Sequence, residues 1–250
     1  MPTNDGFYKE DVLIAHLHHQ TFGKLPNNLK NLVRPLFGLI EDNDLILCSK
    51  VEGYIKPDFC IECQGKKKYV SMKTGSANIL HQEDVGTFTT FLRQIGISQE
   101  TVETILLYQY GDGTLDGSAA ERIEYNELRV MLKDRIKRAN KELNEDKEIL
   151  KKVIRRCIYF GTQENAIPID ALYFGTVEFG YVATVRQLER HFKVHKWDWM
   201  ENLHIGPLQL RPHARYYGKE IKNPKRRQRL EIYWANLGRD IEFISLRYDY

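Results

Sequence analysis

A carboxylate, a hydroxyl and an ammonium occur at alternate positions within one short, largely apolar stretch of this 250-residue sequence. They belong to Asp58, Ser71 and Lys73, in the segment IKPDFCIECQGKKKYVSMKTG that begins at Ile55. On two paired strands, an acid and a base make either a cross-strand salt bridge, worth roughly 0.2–1 kcal/mol, or part of a polar site. The faces on which these side chains lie decide which reading applies.

The segment predicts a β-hairpin with strands at 56–63 and 68–74 and a four-residue turn between them. Side chains alternate faces along a strand, so the apolar positions of both strands must be buried together. A slip of one residue would turn one apolar set outward, and this fixes the parity of the pairing. Asp58, Ser71 and Lys73 are then expected on the same face. The expected cross-strand pairs are Phe59 with Met72, Ile61 with Val70, and Asp58 with Lys73.

Hydrophobic periodicity predicts the elements that surround the hairpin. Helices are expected at residues 8–20, 28–40, 78–95 and 119–160, with a short one at 186–194. Residues 98–110 are either a helix capped by Ser98 or a strand, and the helix is favoured. Strands are expected within 42–53, near 168–174 and around 175–180, and two strand-like pieces follow at 206–218 and 241–248. The order is helix, three strands, helix, helical insertion, strand and a mixed tail. It predicts an α/β (mixed α+β) core with additions rather than a doubly wound sheet.

Pro57-Asp58 followed by Ser71-Met72-Lys73 resembles the motif of the PD-(D/E)XK nuclease superfamily. That superfamily carries Pro-Asp on one strand and acid-x-Lys on the next, in a helix, three strands, helix, strand core. Ser71 stands here in place of the second acid, as in a Ser-x-Lys branch of restriction endonucleases. In that branch the missing carboxylate comes from the following helix. The resemblance therefore implies Glu83 as the relocated acid, with Glu52 as a further candidate ligand.

The implied activity is magnesium-dependent hydrolysis of phosphodiester bonds in double-stranded DNA by a type II, site-specific endonuclease. A divalent ion stabilises charge on the phosphoryl group and lowers the pKa of a bound water, and Mg²⁺ prefers carboxylate ligands. Asp58, Glu83 and Glu52 are the candidate metal ligands, and Lys73 is the candidate for orienting the water or stabilising the developing charge. Two alternatives stay open: a catalytically decayed DNA-binding module, because Ser71 replaces an acid, and a non-specific defence or repair nuclease.

Basic residues are concentrated in the second half of the chain. Residues 1–120 hold 11 Lys/Arg and 15 Asp/Glu, which leaves 26 and 19 for residues 121–250, a net charge of +7. A basic surface favours a polyanion, because Lys and Arg neutralise phosphates and Arg also reads guanine. The candidate DNA-binding residues are Arg211, Arg215, Lys225, Arg226, Arg227 and Arg229.

Three segments are predicted: residues 1–118 as the first part of the core, 119–161 as a helical insertion, and 162–250 as the remainder with a basic C-terminal extension. They are expected to form one domain. Four cysteines without a second CxxC pair suit reduced structural thiols, and the absence of a recognisable signal sequence predicts the cytoplasm. Palindromic DNA would suit a homodimer.

Overall fold

The computed structural model describes residues 5–53, 55–75, 78–163, 166–194, 202–213 and 224–247. Its helices are α1 (Asp5–Leu17), α2 (Asn27–Phe37), α3 (Val85–Gln94), α4 (Gln99–Tyr110), α5 (Tyr125–Glu145), α6 (Lys147–Ile154), α7 (Val185–Val194), α8 (Pro224–Arg227) and α9 (Leu237–Arg247). Its strands are β1 (Gln20–Thr21), β2 (Leu45–Lys50), β3 (Phe59–Cys63), β4 (Lys66–Lys73), β5 (Ile79–Asp84), β6 (Ala171–Gly175), β7 (Gly180–Thr184), β8 (His204–Ile205), β9 (Leu208–Pro212) and β10 (Arg229–Trp234).

The chain divides into two compact units, each of them discontinuous in sequence. The first comprises Met1–Asn78, Ile158–Val194 and Asn236–Tyr250, and the second comprises Ile79–Cys157 and His195–Ala235. These units cut across the three predicted segments. Within the described ranges no helix is long and apolar enough to cross a bilayer. None of the four cysteines forms a disulfide, and all four are buried.

The first unit is built on a six-stranded mixed sheet with the order β1-β2-β3-β4-β6-β7. Strands β4 and β6 run parallel, and the other neighbours are antiparallel. Helix α1 places Leu13 and Leu17 four residues apart on one face, and both are fully buried. They join Phe59, Ile61 and Val70 of the hairpin in one hydrophobic core. This core fixes which face of the hairpin is turned away from it.

The hairpin of β3 and β4 is tighter than predicted, so the predicted register is wrong by two residues. Gln64 and Gly65 both have positive φ, 51° and 70°, and form a two-residue turn of the kind that matches strand twist. Phe59 therefore pairs with Val70 rather than with Met72. A shift of two residues leaves every side chain on the same face of its strand, so Asp58, Ser71 and Lys73 still share one face, as predicted.

The second unit contains a four-stranded antiparallel sheet with the order β5-β10-β9-β8. The prediction of a helix over 78–95 is wrong in its first part, because residues 79–84 form β5 and pair with β10. Helix α3 begins only at Val85, where Asp84 accepts hydrogen bonds from two backbone N–H groups of the first turn. Ser98 caps α4 in the same way, as the sequence predicts. The partner of β5 is about 150 residues distant, so the local pattern alone favours a helix.

The predicted long helix and the predicted tail also differ from expectation. The region 119–160 contains α5, α6 and a π-helical turn at Arg155–Phe160, with Asp146 capping α6. The predicted strand at 241–248 is wrong over its described part, because 237–247 form α9 with Leu237, Ile241 and Ile244 buried. A strand that was not predicted, β10, is formed by RLEIYW, although alternate residues of this segment, Leu230, Ile232 and Trp234, are apolar and buried.

The turn of the hairpin provides a test of the observed register. Gly65→Ala places a β-carbon on a left-handed backbone and should lower the free energy of unfolding by about 1–2 kcal/mol. Urea denaturation measures this loss. Lys66→Ala, at the next and exposed position, is the matched control and should stay within about 0.5 kcal/mol of the parent. Equal stability of the two variants would contradict the two-residue turn.

Candidate active site

Asp58 immediately precedes β3 and is held against β4 by two donors. Its Oδ2 atom accepts a hydrogen bond from the Ser71 hydroxyl at 3.0 Å and one from the backbone N–H of Met72 at 2.5 Å. The Asp58 N–H in turn donates to the Val70 carbonyl, which extends the strand pairing by one residue. Ser71 thus acts as a neutral donor that orients the aspartate, where an acid would repel it.

Lys73 completes the predicted cluster on the same face of the first unit's sheet. Its Nζ lies 3.9 Å from Asp58 Oδ2 and donates to the Met72 carbonyl at 3.0 Å. The Lys73 and Asp58 side chains are 21% and 23% exposed, so the pair is sheltered but open to a ligand. The structure therefore brings Asp58, Ser71 and Lys73 together, as the sequence predicts. A salt bridge at this distance leaves the ammonium able to serve a second anion.

Glu10, on helix α1, is a candidate that the sequence reasoning missed. Burial raises the pKa of its carboxyl, the negative charge of Asp58 raises it further, and Lys50 and Lys73 oppose the shift. The Asp11–Lys50 ion pair, at 2.8 Å, joins α1 to the end of β2 next to this site. A signal was present: Glu10 precedes the buried Leu13 and Leu17 by three and seven residues, so an acid lies on the apolar stripe of the helix.

These groups fit a magnesium ion by their chemistry. Two neighbouring carboxylates repel each other, and a shared cation relieves that repulsion. Mg²⁺ usually takes one or two carboxylates and completes its shell with waters and phosphate oxygens. Within the described part of the chain, no group of three or more His, Cys, Asp or Glu side chains could enclose a metal ion. Asp58 and Glu10 are two carboxylates, which is within the number that magnesium usually takes from a protein.

Glu83 does not have the environment predicted for it. It lies on β5 of the second unit, and Arg156 donates to both of its carboxylate oxygens, at 3.0 and 2.6 Å. His81 Nε2 lies 3.0 Å from Oε1. Burial acts to raise the Glu83 pKa, but the hydrogen bonds from His81 and Arg156 outweigh it and hold the pKa below its ordinary value. Glu83 thus lies on a strand rather than on the predicted helix, and both of its oxygens are engaged by side chains. Its role as the relocated acid stays a prediction.

Glu52 follows β2 in an exposed stretch of the first unit. It makes no hydrogen bond or ion pair with another described residue, and its charge is absent from the influences on Glu10. Its role as a metal ligand stays a prediction, and Glu10 is the better placed acid.

Arg227, at the end of α8, is committed to the interior of the second unit. Its guanidinium pairs with the fully buried Asp112 at 2.5 Å and donates to the Ala119 carbonyl and, in a shorter contact, to the Gly117 carbonyl. Asp112 also accepts from the Thr114 hydroxyl and backbone N–H. The guanidinium therefore fastens the 111–119 loop. This burial does not fit the prediction that Arg227 contacts DNA.

The other predicted DNA-binding residues differ in their exposure. Arg226 and Arg229 are exposed in the second unit, and Lys225 lies in α8. Arg211 is on β9, half-buried, with one terminal nitrogen 3.2 Å from Glu231 and its guanidinium 4.3 Å from the Tyr233 ring centre. Arg215 lies outside the described residues. The side chains of Arg211, Arg226 and Arg229 are thus within reach of a polyanion in solution.

Comparison with solved structures finds the same architecture in the restriction endonuclease MspI, whose crystal structure is in complex with its cognate DNA. The TM-score is 0.56 and the identity is 13%, over 92% of this chain and 90% of that chain. No protein-family model and no curated protein matches this sequence. The chain thus has the mixed α/β fold of a restriction endonuclease, as the order of elements predicts. At this level of identity the likeness shows the fold.

The Glu83–Arg156 pair gives a pH-dependent prediction. Arg156→Met leaves a buried carboxylate without its cation and should cost about 3–5 kcal/mol of stability at neutral pH. In the parent, Glu83 has a lowered folded-state pKa, so its contribution is present above the unfolded value of 4.5 and is lost as the pH falls through the folded value. Urea titrations at several pH values should show the parent and Arg156→Met converging on acidification. The double variant Glu83→Leu/Arg156→Met is the control, and an equally large loss in it would contradict the assignment.

Arg226 and Arg227 form a matched pair of neighbours for separating structure from binding. Arg227→Met should cost about 3–5 kcal/mol of stability, because it leaves Asp112 unpaired in the interior. Arg226→Met should change stability by no more than about 0.5 kcal/mol. Thermal melting of both variants measures the difference. If Arg226→Met were the more destabilising of the two, the buried pairing of Arg227 would be wrong.

Proposed function

We propose that this protein is a magnesium-dependent endonuclease that hydrolyses phosphodiester bonds in double-stranded DNA at specific sites. The observation that carries the proposal is the Asp58–Ser71–Lys73 cluster, in which a sheltered carboxylate and an ammonium share one face of the sheet. It occurs in a chain with the fold of a restriction endonuclease. The MspI structure, which has a similar fold, is a complex with DNA, and this supports DNA as the partner of the present protein.

The residues divide the work of hydrolysis among them. Asp58 and Glu10 would hold the magnesium ion, which supplies charge stabilisation and a water of lowered pKa. Lys73 places a positive charge beside that position, where it can stabilise the phosphoryl oxygens or orient the attacking water. Ser71 holds the Asp58 carboxylate in place through the 3.0 Å hydrogen bond. This set is a Ser-x-Lys variant in which the second acid comes from helix α1.

A DNA-binding module without catalysis is the second candidate function. Ser71 favours it, because a hydroxyl replaces the acid that the superfamily motif has at this position. The two candidates predict the same affinity for DNA and differ in cleavage. A non-specific nuclease of the same fold differs only in the pattern of fragments. The homodimer and the cytoplasmic location stay predictions.

Cleavage of plasmid and phage DNA with added Mg²⁺ tests the proposal. Discrete fragments are the expected result, a smear would indicate a non-specific nuclease, and retardation without cutting would indicate the binding module. Asp58→Asn and Lys73→Met should each lower the cleavage rate at least about 100-fold, because each removes an electrostatic partner of the transition state.

The lysines of β4 provide the matched control for this test. Lys68 pairs with Asp170 at 2.8 Å and lies on the opposite face of the strand from Lys73. Lys68→Met should therefore cleave at a rate close to the parent's. Cleavage by Lys73→Met at the parent's rate under saturating Mg²⁺ would remove the active site from this hairpin.

Glu10→Gln tests the second acid through stability as well as through activity. The raised pKa means that the parent loses stability as the pH rises from the unfolded value of 4.5 through the folded value, whereas the glutamine variant does not. The variant should therefore be the more stable protein at neutral pH and should need a higher Mg²⁺ concentration for cleavage. Urea denaturation and a Mg²⁺ titration measure the two effects.

Higher stability together with a higher Mg²⁺ requirement in Glu10→Gln would identify Glu10 as a residue of the active site, since active sites commonly lose stability in exchange for function. Glu52→Gln is the control, and removing the charge of this exposed acid should change neither quantity. A parent-like Mg²⁺ requirement in Glu10→Gln with a raised requirement in Glu52→Gln would reverse the assignment of the second acid.

A further inference from the structure

The four-stranded sheet of the second unit has one largely buried face, which includes the Glu83–Arg156 pair beside Leu230, and one polar face. On β10, Leu230, Ile232 and Trp234 are buried, and the alternate residues point to the other side. The register places the alternate residues of β5 and β9 beside them. This polar face includes Gln82, Arg211, Arg229, Glu231 and Tyr233, with His213 just beyond the end of β9.

Glu231 lies at the centre of the polar face, opposite Gln82 on one side and Arg211 on the other. Its side chain is only 5% exposed. Oε1 is 2.5 Å from His213 Nδ1 and accepts from the Gln82 amide at 3.2 Å, and Oε2 accepts from Arg211 at 3.2 Å. One buried carboxylate therefore ties together three polar side chains, Gln82 from β5 and Arg211 and His213 from β9 and its end.

Arg211 is fixed by two independent contacts on this polar face. The Glu231 carboxylate holds one terminal nitrogen, and the Tyr233 ring packs against the guanidinium at 4.3 Å from its centre. The Arg211 side chain is nevertheless 30% exposed, and Gln82 and Arg229 beside it are exposed. A long cationic side chain normally samples many rotamers, and immobilising it in advance lowers the entropy cost of binding.

Such an arrangement suits recognition better than simple neutralisation of charge. Mobile surface cations are sufficient to neutralise phosphates, whereas a bidentate contact to the O6 and N7 atoms of guanine benefits from a guanidinium whose plane is held in advance. Arg226 and Arg229, exposed in the same unit, suit the neutralisation of phosphates. Arg211, whose guanidinium is held in place, suits the contact to guanine. A two-sided sheet with one solvent-facing polar surface also presents its side chains at regular spacing.

We propose that the polar face centred on Glu231 reads base edges of double-stranded DNA, with Arg211 contacting a guanine and Glu231 as its positioning residue. This inference rests on the proposed function for its substrate and assigns sequence selectivity to the second unit. Gln82, held to the same carboxylate and exposed, contributes a second hydrogen-bonding group to this face. Hydrolysis remains with Asp58 and Lys73.

Selection from a random double-stranded DNA library tests the inference separately from cleavage. The protein is mixed with the library in Ca²⁺ in place of Mg²⁺, and the retained DNA is sequenced. Arg211→Lys should lose preference for guanine at one base pair by about 5- to 150-fold, the range expected for one bidentate contact. Preferences at the other positions and the salt dependence of non-specific binding should stay unchanged.

Glu231→Gln should relax the same position, because it acts through Arg211. The double variant Arg211→Lys/Glu231→Gln should be no less selective there than Arg211→Lys alone. A structural role for Glu231 would instead weaken binding to all sequences together. Arg226→Gln is the control: it should lower affinity for every sequence and flatten the log–log salt slope by about 0.9 for each phosphate that is no longer neutralised. Thermal melting checks that each variant is folded.

The outcomes distinguish this inference from the proposed function. Identical base preferences in the parent, Arg211→Lys and Glu231→Gln would overturn the inference, as would a parent protein that enriches no sequence. Relaxed selectivity in the two variants, combined with no cleavage in Mg²⁺, would support the reading face and overturn the nuclease. Specific cleavage that survives Arg211→Lys unchanged would keep the nuclease and reject the reading face.

Discussion

The pairing of β3 with β4 is the constraint on which the candidate active site depends. Burial of Phe59, Ile61 and Val70 leaves only one parity for the two strands, and the tight turn at Gln64 and Gly65 then selects the register. In that register Asp58 reaches the Ser71 hydroxyl and the Met72 N–H. The chemistry of the polar face is thus a consequence of how the apolar face packs.

The buried acidic side chains of the second unit are paired with arginines, whereas Glu10 of the first unit has a raised pKa. Glu83, Glu231 and Asp112 are buried, and each has an arginine within hydrogen-bonding distance. Burial of a charge without such a partner is costly, so these acids stabilise their surroundings as paired groups. Glu10 is the contrast, because burial and the neighbouring Asp58 raise its pKa. Carboxyl groups with perturbed pKa values are found at functional sites and also in structural ion-pair networks.

The basic C-terminal region shows why charge counts alone do not define a binding surface. Arg226 and Arg227 are adjacent in sequence, yet one is exposed and the other closes the 111–119 loop through Asp112. Arg211 combines both roles, since it is fixed by Glu231 and Tyr233 and remains partly exposed. Positive charge attracts DNA, but a basic side chain can contact DNA only where it is not already buried in an ion pair.

The sequence by itself determined the fold class, the common face of Asp58, Ser71 and Lys73, and the Ser98 cap of α4. These features follow from alternation along a strand and from interactions within a few residues, which a local pattern contains. Tertiary structure alone decided that residues 79–84 form a strand, that Glu83 is paired with Arg156, and that Glu10 approaches Asp58. Each of these depends on partners from distant segments: β10 for β5, the turn after α6 for Glu83, and the hairpin for α1. Periodicity is a property of neighbours in the chain, whereas the pKa and the partner of a carboxylate are set by neighbours in space.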